Sequence, residues 1–234
     1  MKEQIYTIPV TEAFEKSASD PSCGCPFCTM REILEKNETE LIMGASMMEP
    51  DIRIKTNKQG FCRRHFDMML AMHNRLGLAL MLESHLDEIK VKIMDKKGLN
   101  ALIGGKAPSN SALKELAEDC YVCSRIDFHI EKMFECAVYL WEKERDFRTL
   151  CEKQPFFCIP HQAKLLEVAK IKLSKKVYPD LAEAVANVQN RYLDELREDV
   201  SWFTKKFDYR YQDEPWKNAK DAPERAIAFL SGRK

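Results

Sequence analysis

Two short cysteine and histidine patterns, each present twice, constrain this chain more than any other feature. Residues 25–28 read CPFC and residues 62–65 read CRRH; residues 120–123 read CYVC and residues 158–161 read CIPH. Cys28 and Cys62 are 34 positions apart, and Cys123 and Cys158 are 35 apart. The residues leading into each second element also match, GFC at 60–62 and FFC at 156–158. A composite pattern repeated at matched spacing marks a duplicated structural unit.

The chemistry of the pattern is that of metal binding. In CxxC the two sulfurs sit at i and i+3, neighbours on a tight turn or a first helical turn, and CxxH pairs a sulfur with an imidazole in the same way. Two such pairs make a Cys3His set, a tetrahedral structural zinc site. All four elements read as helix N-termini, where free N–H groups and the positive end of the dipole favour thiolate. The candidate ligands are Cys25, Cys28, Cys62 and His65 in the first half, and Cys120, Cys123, Cys158 and His161 in the second: two zinc ions per chain. Closing a loop of 34 or 35 residues is entropically mild, so each site is expected to close within its own half. A cross-braced arrangement, Cys25 and Cys28 with Cys158 and His161, needs a longer closure. Arg31, Arg63 and Arg64 lie near the first elements in sequence and Arg125 near the second, available to offset thiolate charge.

Other uses of the cysteines fit less well. A thioredoxin-like dithiol needs a βαβ context, and covalent haem needs CxxCH; neither is present. An iron–sulfur cluster is the alternative occupant of a Cys3His set, and a thiol-dependent enzyme is a weaker alternative. Cys23 has no counterpart before Cys120 and reads as a spare small residue in a turn. Cys136 and Cys151 sit among apolar neighbours and read as buried. His73, His85 and His129 fall within expected helices and read as structural histidines rather than ligands.

The remaining signals bound the function class. Thirty-seven basic residues balance thirty-seven acidic ones, which argues against a nucleic-acid-binding field. The basic run KIKLSKK at 170–176 reads as a solvated helix end. Neither a signal peptide nor a membrane span is expected, which points to the cytosol, where thiols stay reduced. The sequence shows no Ser/His/Asp set, phosphate loop or HExxH, so it leans toward a non-enzymatic binding or scaffold protein rather than an enzyme; its partner is unknown, a protein being one candidate. A closed four-ligand site also leaves no open coordination position for chemistry.

Apolar residues recur at helical spacing throughout, and the fold class is all-α: a helical bundle of two related halves, each organised by a Cys3His metal site. A helix is expected to follow Pro26, one long helix to run from Phe61 to Met94, and further helices to cover 111–120, 123–144, the stretch after His161 and the stretch after Pro179. Residues 1–97 form the first half, 98–110 a glycine-rich connector, and 111–234 the second half, the whole expected to pack as one compact unit. The aromatic tail, with Trp202, Phe203, Phe207, Tyr209, Tyr211 and Trp216, is expected to clamp across the bundle.

The pattern CPFC … EPDIRIKTNKQGFCRRHF … CYVC … FFCIPH … FDYRYQDEPW resembles an uncharacterised family of bacterial domains of unknown function, known mainly from anaerobic Gram-positive genomes. The resemblance spans nearly the whole chain. It implies that the paired cysteine–histidine elements and the FDYR tail belong together. It implies no activity, and the anaerobic association is what keeps the iron–sulfur alternative open.

Overall fold

The computed structural model describes residues 4–98 and 118–233, and every regular element among them is helical. The α-helices are α1 (Thr7–Ser19), α2 (Pro26–Met43), α3 (Pro50–Gln59), α4 (Arg63–Ala71), α5 (Arg75–Gly98), α6 (Tyr121–Lys143), α7 (Arg145–Glu152), α8 (Ile159–Lys172), α9 (Tyr178–Lys205) and α10 (Ala222–Ser231). Proline opens many of them. Pro26 is the first residue of α2, and Pro50, Pro160, Pro179 and Pro223 lie at the first or second position of their helices. There the missing N–H has no helical acceptor to lose.

Two details differ from the expected helix pattern. The long helix expected from Phe61 to Met94 is broken between α4 and α5. His73 adopts a left-handed backbone, with φ of 62°, and Asn74 starts the next helix by accepting a hydrogen bond from the Gly77 N–H at 3.0 Å. The Asn74 amide also donates to the Met43 carbonyl at 3.1 Å. Asparagine competes with the helical backbone for hydrogen bonds, so the chain turns without proline. The second detail is α7, a short helix that buries Phe147 and Cys151. The connector expected at 98–110 and most of the helix expected at 111–120 lie outside the described residues.

The compact units are not the two sequential halves. One consists of Met1–Glu32 together with Ile130–Lys234, and the other of Ile33–His129. The first is built on an aromatic core. Phe27 stacks on Phe134 with centroids 4.0 Å apart, and Phe14 meets Phe27 at 5.5 Å and Phe147 at 4.8 Å. Phe14, Phe27, Phe134 and Phe157 are completely or almost completely buried. The second unit has an aliphatic and methionine core: Ile42, Met43, Met69, Leu78 and Met81 pack with Phe61, Tyr121, Val122 and Ile126. Methionine fills irregular gaps there without demanding one rotamer.

The aromatic tail folds back on the end of α9, where the Trp202 indole N–H donates to the Pro215 carbonyl at 3.0 Å. Phe203 packs on Phe207 and Trp216, with centroids at 5.4 and 5.8 Å, yet Phe207 and Tyr209 remain about three-quarters or more exposed, at 76% and 83%. What orders the loop is Lys206. Its buried ammonium donates to the carbonyls of Tyr211, Gln212 and Glu214. An ammonium taking three carbonyl acceptors satisfies its donors and pins the turn after α9.

Candidate metal centres

Each cysteine–histidine element is built the same way: its first residue caps a helix and its second lies in the first turn. Cys62 and Cys158 are the N-cap residues of α4 and α8, with extended backbones. Their carbonyls accept the first helical hydrogen bonds, from Phe66 N at 3.0 Å and Gln162 N at 2.8 Å. The Cys25 and Cys120 carbonyls do the same for Thr29 N and Ser124 N. This placement turns both side chains of each pair to one point at the positive end of a helix, as the sequence pattern suggested.

The structure gathers the eight residues into two sets of four: Cys25, Cys28, Cys158 and His161, and Cys62, His65, Cys120 and Cys123. Within each set the candidate ligand atoms all lie within 4.8 Å of one another. In the first set Cys28 Sγ is 3.7 Å from Cys158 Sγ. His161 Nδ1 lies 3.6, 3.4 and 3.2 Å from the sulfurs of Cys25, Cys28 and Cys158. In the second, Cys62 Sγ is 3.9 Å from Cys123 Sγ. His65 Nδ1 lies 3.1, 3.2 and 3.6 Å from Cys62, Cys120 and Cys123. A tetrahedron with metal–sulfur bonds of 2.3 Å and a metal–nitrogen bond of about 2.05 Å has S···S edges of about 3.8 Å and S···N edges of about 3.5 Å. The Cys28–Cys158 and Cys62–Cys123 separations sit at the first edge, and the six S···N separations, 3.1–3.6 Å, lie within about 0.4 Å of the second. The S···S distances are far beyond the ~2.05 Å of a disulfide, and the cysteines are free thiols.

The pairing corrects the expectation that each site closes within its own half. Each CxxC meets the CxxH of the other half, so the second set, joined across 55 residues between His65 and Cys120, is nested inside the first, joined across 130 between Cys28 and Cys158. Two physical reasons account for it. Closure entropy grows only logarithmically, so 130 residues cost about 1.2 kcal/mol more than 34, too little to decide the pairing. Helix length decides instead. From Cys28 to the end of α2 at Met43 the helix carries the chain about 22 Å, and the 10 residues of α3, even running straight back, recover only about 15 Å. The second half repeats the mismatch, with 23 residues in α6 and 8 in α7.

The surroundings of the two sets differ. His65 Nε2, the ring nitrogen facing away from the sulfurs, lies 3.1 Å from Glu35 Oε1. Arg64 holds that carboxylate with two hydrogen bonds of 2.7 and 2.6 Å, and the guanidinium keeps Glu35 below the usual carboxylate range. Glu38, on the next turn of α2, takes Arg125 at 2.9 Å. The Gly60 carbonyl accepts the Tyr121 N–H at 3.0 Å, tying the loop before Cys62 to the helix after Cys120. Gly60 has φ of +67°, and a Cβ there would stand 2.5 Å from His85 Nε2, so the position suits glycine alone. Of the arginines expected to offset charge, Arg64 and Arg125 are therefore both in this unit, while Arg63 pairs with Asp67 on the surface.

In the first set His161 packs against the rings of Phe27 and Phe134, at 6.0 and 5.8 Å. The C-terminal segment supplies the polar contact. The Arg233 N–H points at Cys28 Sγ at 3.4 Å, and its guanidinium donates to the Cys23 carbonyl at 2.6 Å and pairs with Glu32 at 3.2 Å. Gly232, with φ of +75°, passes so close that a Cβ would lie 3.4 Å from Cys158 Sγ. Burial pushes the Cys25 thiol well above its ordinary value, while hydrogen bonds from Cys158 and then Cys25 draw the Cys28 thiol down. In the second set burial raises the thiols of both Cys120 and Cys123.

The residues set aside by the sequence are placed plainly. Cys23 is outside both sets; its thiol lies 3.5 Å from Asp20. Cys136 and Cys151 are buried. His129 lies 3.6 Å from Glu38 and His85 Nδ1 2.7 Å from the Asn57 carbonyl, and neither joins a set. Glu35, Glu38 and Arg233 carry no motif. Glu35 and Glu38 read as two more charges on the solvated face of α2, and only the pairing of elements reveals them.

A histidine oriented by a carboxylate is a stronger ligand than a free one. Glu35→Gln is expected to weaken metal retention by the Cys62/His65/Cys120/Cys123 set about 10- to 100-fold while leaving the other set unchanged. Competition with a chromophoric chelator, read as two separable release phases, checks this.

No curated protein and no solved structure matches the chain. A family model described as "Family of unknown function (DUF6062)" matches residues 1–234. A helical chain with two nested, tetrahedrally spaced Cys3His sets belongs to that family, DUF6062.

Proposed function

We propose that this is a zinc protein with two structural ions, held by Cys25, Cys28, Cys158 and His161 and by Cys62, His65, Cys120 and Cys123. The observation that carries the reading is the agreement of both ligand sets with the edges of a tetrahedron around one ion. In an iron–sulfur cluster the thiolates sit on different irons, which spreads the ligand atoms more widely than a single ion does. The ions act as internal cross-braces in a non-enzymatic binding or scaffold protein of the cytosol, where thiolates escape oxidation. Four protein ligands fill each tetrahedron and leave no position for substrate. Elemental analysis of untagged protein is expected to find two zinc per chain. Iron with acid-labile sulfide, and absorbance near 400 nm in protein purified without oxygen, would replace the zinc reading with a cluster; reduced protein without metal would overturn it.

A further inference from the structure

A cavity of about 710 Å³ opens beside the first cysteine set, entirely within the unit formed by residues 1–32 and 130–234. That volume lies in the range of small-molecule sites. Its lining includes six cationic side chains, Lys153, Arg191, Lys217, Lys220, Arg225 and Arg233, against two carboxylates, Glu195 and Asp221. Arg225 is matched by Asp199 and Asp221, and Arg233 by Glu32. Arg191 donates to the backbone carbonyls of Glu152 and Gln154, which fix its position without cancelling its charge. Lys153, Lys217 and Lys220 have no carboxylate partner among the described residues. The cavity therefore keeps a positive excess in a concave setting, where fields from like charges add.

The walls carry further signals. Gln154 is fully buried; its amide nitrogen donates to the carbonyls of Phe14 and Leu150, and no protein group donates to its Oε1. The hydroxyl of Tyr192 is enclosed beside the Arg225 guanidinium without a well-formed hydrogen bond, and its ring stacks on Phe156 at 4.3 Å. Enclosed polar atoms without partners are uncommon in folded proteins and call for a reason. At the rim Lys217 holds a left-handed backbone, with φ of 52°, and its ammonium sits 4.4 Å over the Trp202 ring. Left-handed non-glycine residues gather at ligand-binding segments.

The geometry points to a binding site for a small organic anion, a phosphate or carboxylate compound that also carries a hydroxyl or amine. The anionic group meets the cationic lining, which includes Lys153, Arg191 and Lys220. The donor group is what Gln154 Oε1 lacks, and Tyr192 can give or take a further hydrogen bond. This deepens the binding-protein reading by naming a ligand class, and it rests on that reading. It does not require the nearby metal, although Cys25 and Cys28 also line the cavity.

The test is calorimetric titration of the full chain with glycerol 3-phosphate, with malate, and with glycerol as the neutral control, on protein whose metal content has been measured. Saturable binding of at least one anion, with none of glycerol, is expected. The double variant Lys153→Glu/Lys220→Glu, at two exposed positions, should weaken it at least about tenfold, a change expected of two lost close charges. Tyr192→Phe should bind more weakly while keeping a melting temperature close to wild type, because the hydroxyl makes no well-formed protein hydrogen bond that the variant would lose. Failure of both anions to saturate at about 10 mM, a level that detects even millimolar Kd, overturns the inference, as does undiminished binding by the double variant. Because metal is measured on the same sample, a metal-free protein that binds the anion sinks the zinc reading alone, and a two-zinc protein that binds neither sinks the cavity alone.

Discussion

Removal of metal by a chelator at neutral pH is expected to cost the protein much of its helical signal and lower its melting temperature by tens of degrees. Structural zinc sites contribute roughly 10–16 kcal/mol in apparent binding free energy, against roughly 5–15 kcal/mol for the net stability of a whole domain. The candidate sites also join segments far apart in the chain. In one unit, residues 1–32 are covalently remote from 130–234, and the Cys25/Cys28/Cys158/His161 set joins them at one point. Without the cation, burial favours the protonated Cys25 thiol, and hydrogen bonds among the sulfurs are a weak substitute for metal–ligand bonds. The opposing force is the aromatic core, since Phe14, Phe27, Phe134 and Phe157 remain able to pack. Burying a large side chain contributes about 1.5–3 kcal/mol, so four of them hold some residual structure but not the full fold. Far-UV circular dichroism and thermal melting, with metal loss verified on the same sample, make the measurement. An unchanged melting temperature would show that packing alone suffices.

Spacing made the eight cysteine and histidine positions legible, because the i, i+3 relation and the helix N-cap are local and local geometry is written in short strings. Helix type was legible for the same reason, from apolar recurrence and from proline at first turns. Partnership was not. Whether Cys28 meets Cys62 or Cys158 depends on where helices of unequal length deliver their ends, and the loop-closure argument applied to it was too weak to decide. The helix lengths themselves were misjudged at Asn74, where a side chain ends one helix and starts another. Glu35 and Arg233 were illegible for a related reason. Each is an ordinary surface residue until a partner remote in sequence arrives, His65 in one case and Cys28 in the other.

Cys158→Ser is expected to remove one of two metals and to leave a distinctive pattern of exposed thiols. Serine is a poor zinc ligand, so the set that includes position 158 opens. Nested pairing makes Cys25 and Cys28 the released partners, although they lie 133 and 130 residues away, while Cys62, Cys120 and Cys123 stay protected around their own ion. Pairing within halves makes the opposite demand: Cys120 and Cys123 would be released and Cys25 and Cys28 kept. The reciprocal variant, Cys62→Ser, should free Cys120 and Cys123 and spare Cys25, Cys28 and Cys158. Free thiolates alkylate faster than metal-bound ones, so a short pulse of alkylating agent followed by peptide mapping reads each thiol separately. Cys136 and Cys151, buried in the hydrophobic interior, act as internal reporters, staying unmodified as long as the fold holds. Release of Cys120 with Cys123 in the Cys158→Ser protein would overturn the nested topology. Release of every ligand thiol in both variants, with Cys136 and Cys151 still protected, would show that neither ion survives without the other. The two braces would then be one cooperative device rather than two.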